Sequence, residues 1–130
     1  MEVSVVKVDI DYKPPNVSLF AKEFAKKLKF VSKLLNLTVE SVEAFETEKG
    51  YHVYVYFSGS RKLEDVEILV IQLALGSDYK RELYNMTRVL SEKYNGKWNV
   101  MFKYKNCKLN EKITHRAKIF SRVVMSQLYQ

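Results

Sequence analysis

Valine and polar residues alternate over residues 3–12, VSVVKVDIDY, the two-residue period of a strand with one buried face. Lys13-Pro14-Pro15-Asn16 stops that pattern, and Asn16 is a candidate helix N-cap. From Val17 to Leu35 the apolar positions 17, 20, 21, 24, 28, 31, 34 and 35 follow a helical stripe. Thr38–Thr47 reads as a second strand, and Glu48-Lys49-Gly50 as a tight turn into a third strand, Tyr51–Phe57. The two strands are expected to form a hairpin. Leu63–Leu75 predicts an apolar helix stopped by Gly76, a suitable C′ residue. Ser77 or Asp78 caps a further helix from Tyr79 to about Lys93. After an Asn95-Gly96 turn, Trp98–Tyr104 predicts a fourth strand with Trp98, Val100, Phe102 and Tyr104 on one face. Glu111–Leu128 predicts a last helix with Ile113, Ala117, Phe120, Val124 and Leu128 as its seam.

The predicted order is β-α-β-β-α-α-β-α. With one helix split and one appended, this is the α+β, ferredoxin-like or RRM-like βαββαβ arrangement, a single domain over residues 1–130. Helices would cover one face of an antiparallel sheet and leave the other open, with the first and third strands central.

Candidate chemistry follows from the alternation. Asp9 and Asp11 share a face, opposite Val6, Val8 and Ile10, while His52 shares a face with Tyr54 and Tyr56. If both apolar faces cover one core, the two carboxylates and the imidazole stand together on the other side. Paired carboxylates on a rigid sheet can hold Mg²⁺ against a nucleotide triphosphate, and the tyrosines are placed where RRM sheets stack bases. Arg81 and Arg88, seven apart, share a helix face, and Arg81 falls beside a helix N-terminus, where phosphate is favoured. Lys103 and Lys105 lie opposite Trp98 on the predicted fourth strand. With Arg116 on the last helix they extend the positive charge that would track a nucleic-acid backbone. Lys22, Lys26, Lys29 and Lys33 form a solvent stripe on the first helix, and nothing marks His115 or Cys107 as catalytic.

Charge sharpens this picture. The net charge is +7, but residues 1–77 carry 10 Lys/Arg against 11 Asp/Glu, whereas residues 78–130 carry 12 against 4. A basic half on a small domain is the footprint of a nucleic-acid partner. No stretch has the roughly 18 apolar residues of a membrane span, and no signal or transit segment is apparent. The single cysteine excludes a disulfide framework or a cysteine-based zinc site. The expectation is an intracellular, cytoplasmic protein. Abundant Lys, Tyr and Val with little Ala and Gly suits a thermophile or archaeal mobile-element origin. Sequence signatures of P-loop, nucleophile-elbow and zincin hydrolases are absent.

The ordered set Val8-Asp9-Ile10-Asp11, a helix, then Gly50-Tyr51-His52-Val53 resembles the first two motifs of archaeo-eukaryotic primases and primase-polymerases. Asp78 in Leu75-Gly76-Ser77-Asp78 is the candidate for that family's third acidic residue. The resemblance implies a DNA-replication role, with Asp9, Asp11 and Asp78 holding divalent metal and His52 contacting the incoming nucleotide. Gly50 stands where the family usually has serine or threonine, and no zinc-binding stem is present. Two other readings keep the fold. One is a non-catalytic basic DNA- or RNA-binding module. The other is a homodimeric interaction protein using the apolar last helix, where Phe120, Val123, Val124 and Leu128 face more than one way.

Overall fold

The structure, a computed structural model, describes residues 1–105 and 107–130. The alternation at the N-terminus makes β1 (Glu2–Ile10), whose Ser4, Val6, Val8 and Ile10 are buried while Lys7 and Asp9 face the other way. α1 (Val17–Leu35) begins where the Asn16 side chain accepts the Leu19 N–H at 3.0 Å. It ends at Asn36, whose left-handed backbone (φ 54°) folds the next amides back onto the Lys33 and Ser32 carbonyls. Its buried face, Ala21, Phe24, Ala25, Leu28 and Val31, has the predicted helical spacing. β2 (Thr38–Glu46) and β3 (Tyr51–Gly59) form the expected hairpin, and the sheet order is β1-β3-β2, antiparallel throughout.

Gly50 opens β3 against the end of β1. A Cβ there would stand 1.9 Å from the Ile10 carbonyl oxygen and 2.8 Å from the Tyr12 nitrogen, both backbone atoms that cannot step aside. Glycine at this position is therefore a packing requirement that lets the two strand ends close up.

α2 (Asp65–Ala74) opens with a capping box between Glu64 and Glu67, and Arg61 clamps the Glu67 carboxylate at 2.6 Å through both guanidinium arms. The helix stops at Gly76 in a left-handed conformation (φ 97°). α3 (Tyr79–Ser91) is capped by Asp78, whose side chain accepts from the Arg81 amide at 3.3 Å. β4 (Tyr104–Lys105) and β5 (Lys108–Leu109) make a two-residue ladder apart from the main sheet. α4 (His115–Leu128) begins at the Thr114 N-cap and lays Ala117, Phe120 and Val124, all fully buried, on α1 and β2. Phe120 is the hub of that layer, with the rings of Phe24, Phe20 and Tyr51 centred 5.2, 5.8 and 6.0 Å away.

The fold is thus α+β, with β1, α1, β2, β3 and the α2–α3 pair falling within a few residues of expectation. The C-terminal third departs from it. The predicted fourth strand does not form: residues 98–103 take no strand conformation, and of the predicted face Trp98 is buried while Val100, Phe102 and Tyr104 are exposed. The free edge of β1, where that strand would pair, is already occupied. The Lys7 and Asp9 amides donate to Gln72 Oε1 and Ser77 Oγ, both at 2.9 Å. The Lys7 and Asp9 carbonyls accept from Arg81 Nη1 at 3.0 Å and the Asp78 amide at 2.7 Å. With those edge groups satisfied by the α2–α3 corner, no ladder is left for a fourth strand at these positions. The last helix starts four residues late, leaving Glu111 outside it and Ile113 exposed. Its second apolar side is no free patch either, because Val123 and Leu128 pack against the core. Among the described residues no helix is long and apolar enough to cross a membrane.

Candidate functional site

Asp9 and His52 are directly opposite one another in the β1–β3 ladder, on the face turned away from α1. This is the juxtaposition expected from alternation. That face is not open above β3, however. Tyr54 and His52 are both buried, as are Trp98 and Met101 from the segment that follows α3. The covering segment is stitched down at both ends. Lys7 Nζ reaches the Asn99 carbonyl at 2.8 Å, and Lys112 exchanges both backbone hydrogen bonds with Glu46, at 2.8 and 2.9 Å.

That last bridge places Glu111. Its carboxylate lies over β3 with Oε2 at 2.8 Å from His52 Nδ1, and the same oxygen accepts a hydrogen bond from the Tyr54 hydroxyl. The other imidazole nitrogen, Nε2, faces Asp9 Oδ1 at 3.5 Å. The result is a line of four groups, Tyr54–Glu111–His52–Asp9, three of them buried and the fourth, Asp9, with 28% of its side chain exposed. Donation of Nδ1–H to Glu111 leaves Nε2 to accept a proton or, as imidazolium, to pair with Asp9. This orienting-acid and imidazole pairing is used in general acid–base chemistry, and Asp9 is its opening to solvent.

Burial is the largest influence on Asp9 and raises its pKa. Neighbouring His52 and Arg81 oppose the shift, and Asp11 and Asp78 add to it. Tyr54 is pushed far above the ordinary phenol range by burial, the hydrogen bond to Glu111 and that carboxylate's charge. Lys7, on the same face, is lowered by burial and by the charges of Arg81 and Lys103. The sign for Asp9 is fixed by its raised folded pKa. Its favourable contribution is complete below the unfolded carboxyl pKa and is lost as pH rises through the folded value. Asp9→Asn should therefore gain stability relative to wild type as pH increases from about 4 to 7, measured as the difference in urea midpoint. A pH-independent difference would contradict this account of Asp9.

The remaining sequence candidates scatter. Asp11 lies just past β1, exposed, and Asp78 sits beside Asp9 through its backbone while its carboxylate caps α3. Among the described residues no group of three or more His, Cys, Asp or Glu side chains has the spacing of a metal site. Arg81 is engaged on every side, with Lys7 O, Glu82 Oε2, Asn99 Oδ1 and Val100 O between 2.5 and 3.1 Å from its guanidinium. A phosphate there would have to displace one of these partners. Arg88 donates to Asn85 at 3.2 Å, and Arg116 to the Pro14 carbonyl at 3.0 Å. Lys103 is exposed, and Lys105 pairs with Glu48 at 3.1 Å.

Lys105 belongs instead to a cleft that sequence reasoning missed. A cavity of about 540 Å³ opens between the β2–β3 turn and the β5–α4 connection, lined by Lys13, Lys105, Lys108 and Lys112, with Asn110 and Thr114. Two carboxylates share it: Glu46 pairs with Lys13 at 3.1 Å and Glu48 with Lys105. Burial tends to raise Glu46, but hydrogen bonds from Thr114 and Lys13 outweigh it and hold the pKa below the ordinary range. The Lys105 hydrogen bond lowers Glu48 likewise. No single spacing in the sequence marks the cleft, because Lys13 precedes α1 whereas Lys105, Lys108 and Lys112 come from the far end of the chain. Glu111 was hidden for a different reason: at the predicted start of a helix, an acidic residue already has a local explanation.

An α+β protein with a three-stranded sheet, a buried Tyr–Glu–His–Asp line and a lysine cleft is what the fold and sites define. Compared with known proteins, the chain matches no family model, no curated relative and no solved structure.

Proposed function

We propose that this chain is a nucleic-acid-binding protein that holds the phosphate backbone in the lysine cleft. The observation that carries the reading is the convergence of Lys13, Lys105, Lys108 and Lys112 on one cavity in a chain whose residues 78–130 hold 12 Lys/Arg against 4 Asp/Glu. Two of the lysines are already paired with Glu46 and Glu48, so those ion pairs must open or share as phosphate enters. Lys108 and Lys112 are the larger contributors on this reading. The β1-α1-β2 unit with β3 inserted between its strands also fits an abbreviated ferredoxin-like or RRM-like sheet, a fold class that often serves nucleic acids.

Four phosphate contacts imply a slope of about −3.6 in log affinity against log salt, or on the order of 100-fold weaker binding between 50 and 200 mM salt. Fluorescence anisotropy with labelled single- and double-stranded oligonucleotides should show that slope. Lys108→Ala with Lys112→Ala should flatten it by about 2. Binding that ignores salt, or is unchanged in the double variant, would remove the cleft from consideration.

A second reading rests on Asp9 standing beside His52, Asp78 and, across the end of β1, Asp11. Here the resemblance to primase-polymerases becomes a proposal that a nucleotide triphosphate binds with Mg²⁺ at this end of the sheet. Asp9 and Asp11 would hold the cation, whose charge would neutralise the phosphates. Calorimetric titration with nucleotide, with and without Mg²⁺, in wild type and in Asp9→Asn/Asp11→Asn, separates the readings. Nucleotide binding that is absent, or indifferent to Mg²⁺ and to both substitutions, would leave the lysine cleft alone.

A further inference from the structure

α3 is amphipathic with its faces exchanged. Its inward residues are polar, Glu82 and Asn85 being completely buried. Its large apolar residues point outward at a 4-3-4 spacing: Tyr79, Leu83, Met86 and Leu90 are 40–71% exposed. A helix held to its own domain by polar contacts, with an apolar stripe facing out, has the pattern of a helix–helix interface.

The stripe has neighbours. α2 packs against α3 and exposes Val66, Val70 and Leu73 at the same 4-3 spacing. On the other side of α2 lies a groove of about 360 Å³, walled on α1 by Phe30 and Leu34, which are 68% and 69% exposed. Val31, Leu35 and Ile71 also line it, and of all its lining residues Glu67 alone is charged. Three adjacent helices thus present apolar residues to solvent.

We propose that this surface of α1, α2 and α3 is a homodimer interface, covered by a second copy of the same chain related by a two-fold axis. Area supports a protein-sized partner. Nine large side chains, about half exposed at roughly 150–200 Å² each, offer on the order of 800 Å². That exceeds the largest apolar patch of a typical monomer, about 300–600 Å². It matches the roughly 800 Å² per partner of a stable interface.

Shape and charge point to self-association. The groove is flanked by its own ridges, Phe30–Leu34 and Val66–Val70, each at i, i+4. A ridge of one copy can enter the groove of the other while its own groove accepts the reciprocal ridge, as helix packing requires. Antiparallel pairing of α2 with its copy also sets the acidic end at Glu64 and Asp65 over the opposite end of the partner helix, where Lys80 opens α3. The four lysines of the cleft lie on other elements, so the two copies can meet without apposing it.

The test is molecular mass against concentration, by light scattering and sedimentation equilibrium from about 1 to about 200 µM, the range in which micromolar affinity is resolved. Wild type should pass from 15.3 kDa to twice that mass. Val70→Glu and Leu83→Glu, both at more than half-exposed positions, should each weaken association at least 100-fold with unchanged circular dichroism. Val70→Ser and Leu83→Ser carry the same prediction if the charged variants fold poorly. Phe102→Glu, at a still more exposed position outside the three helices, should dimerise as wild type does. A wild type that stays monomeric throughout overturns the proposal, even if the face then captures a lipid vesicle or an amphipathic peptide. So does a dimer indifferent to both helix substitutions.

Discussion

Glu82→Ala is expected to be among the most damaging single changes in this protein, lowering stability by about 3–5 kcal/mol. Glu82 is fully buried, and its carboxylate collects four donors. Oε1 accepts from Gln72 Nε2 at 2.8 Å and Asn85 Nδ2 at 2.9 Å; Oε2 accepts from Ser77 Oγ at 2.6 Å and Arg81 Nη1 at 2.5 Å. Removing it strands a nearly buried guanidinium without its counter-charge and leaves three further polar groups short of a partner. The damage spreads to the sheet, because Gln72, Ser77 and Arg81 are the residues that satisfy the edge of β1. A loss of this size corresponds to roughly 10–20 °C in melting temperature for a domain of this length. Thermal unfolding followed by circular dichroism is the direct check. A loss below about 1 kcal/mol would mean that the network contributes little net stability, as some buried ion pairs do.

Glu111→Ala is expected to cost about 2–4 kcal/mol, since it leaves the buried His52 and Tyr54 donors without their shared acceptor. It also frees the segment over the sheet face. The milder Glu111→Gln isolates the charge. Both the hydrogen bond and the charge of Glu111 raise the Tyr54 pKa, so the variant's phenol must ionise at lower pH, nearer its ordinary value. Ultraviolet difference absorbance during an alkaline titration reads this, with Tyr54→Phe identifying the signal. A Tyr54 transition at the same pH in both proteins would show that Glu111 does not control it. Asp9→Asn should leave that transition nearly unmoved, because Asp9 is not among the groups acting on Tyr54.

Much of this architecture was legible from local pattern. Asn16 and Asp78 were readable as caps because a short polar side chain has few other uses before a helical stripe. The Asp9–His52 apposition follows from two facts, that alternation sets which face a side chain takes and that buried valines on both strands fix the register. The expected fourth strand failed for a reason no local pattern carries. Residues 98–104 have suitable composition, but the partner edge was taken by Gln72, Ser77, Asp78 and Arg81, each at least 65 positions along the chain from the residue it satisfies. The same long reach accounts for Glu111, which is 59 residues from His52.

α3 makes the contrast most plainly. Its large apolar residues Tyr79, Leu83, Met86 and Leu90 recur at helical spacing, yet they are 40–71% exposed. The inward face is polar instead, because Gln72, Ser77, Arg81 and Asn85 converge as donors on Glu82 at the corner between α2 and α3. The faces of β1 to β3, the first three helices to within a few residues, the Asn16 and Asp78 caps and the overall charge asymmetry were determined by the sequence alone, since each depends on neighbours within a few positions. Which strand edge stays unpaired, which acid meets the histidine, which lysines share a cleft and which side of α3 meets solvent were decided by the tertiary structure. Each of those depends on groups brought together from distant parts of the chain, whose competition for the same hydrogen bonds is settled only when the whole domain packs.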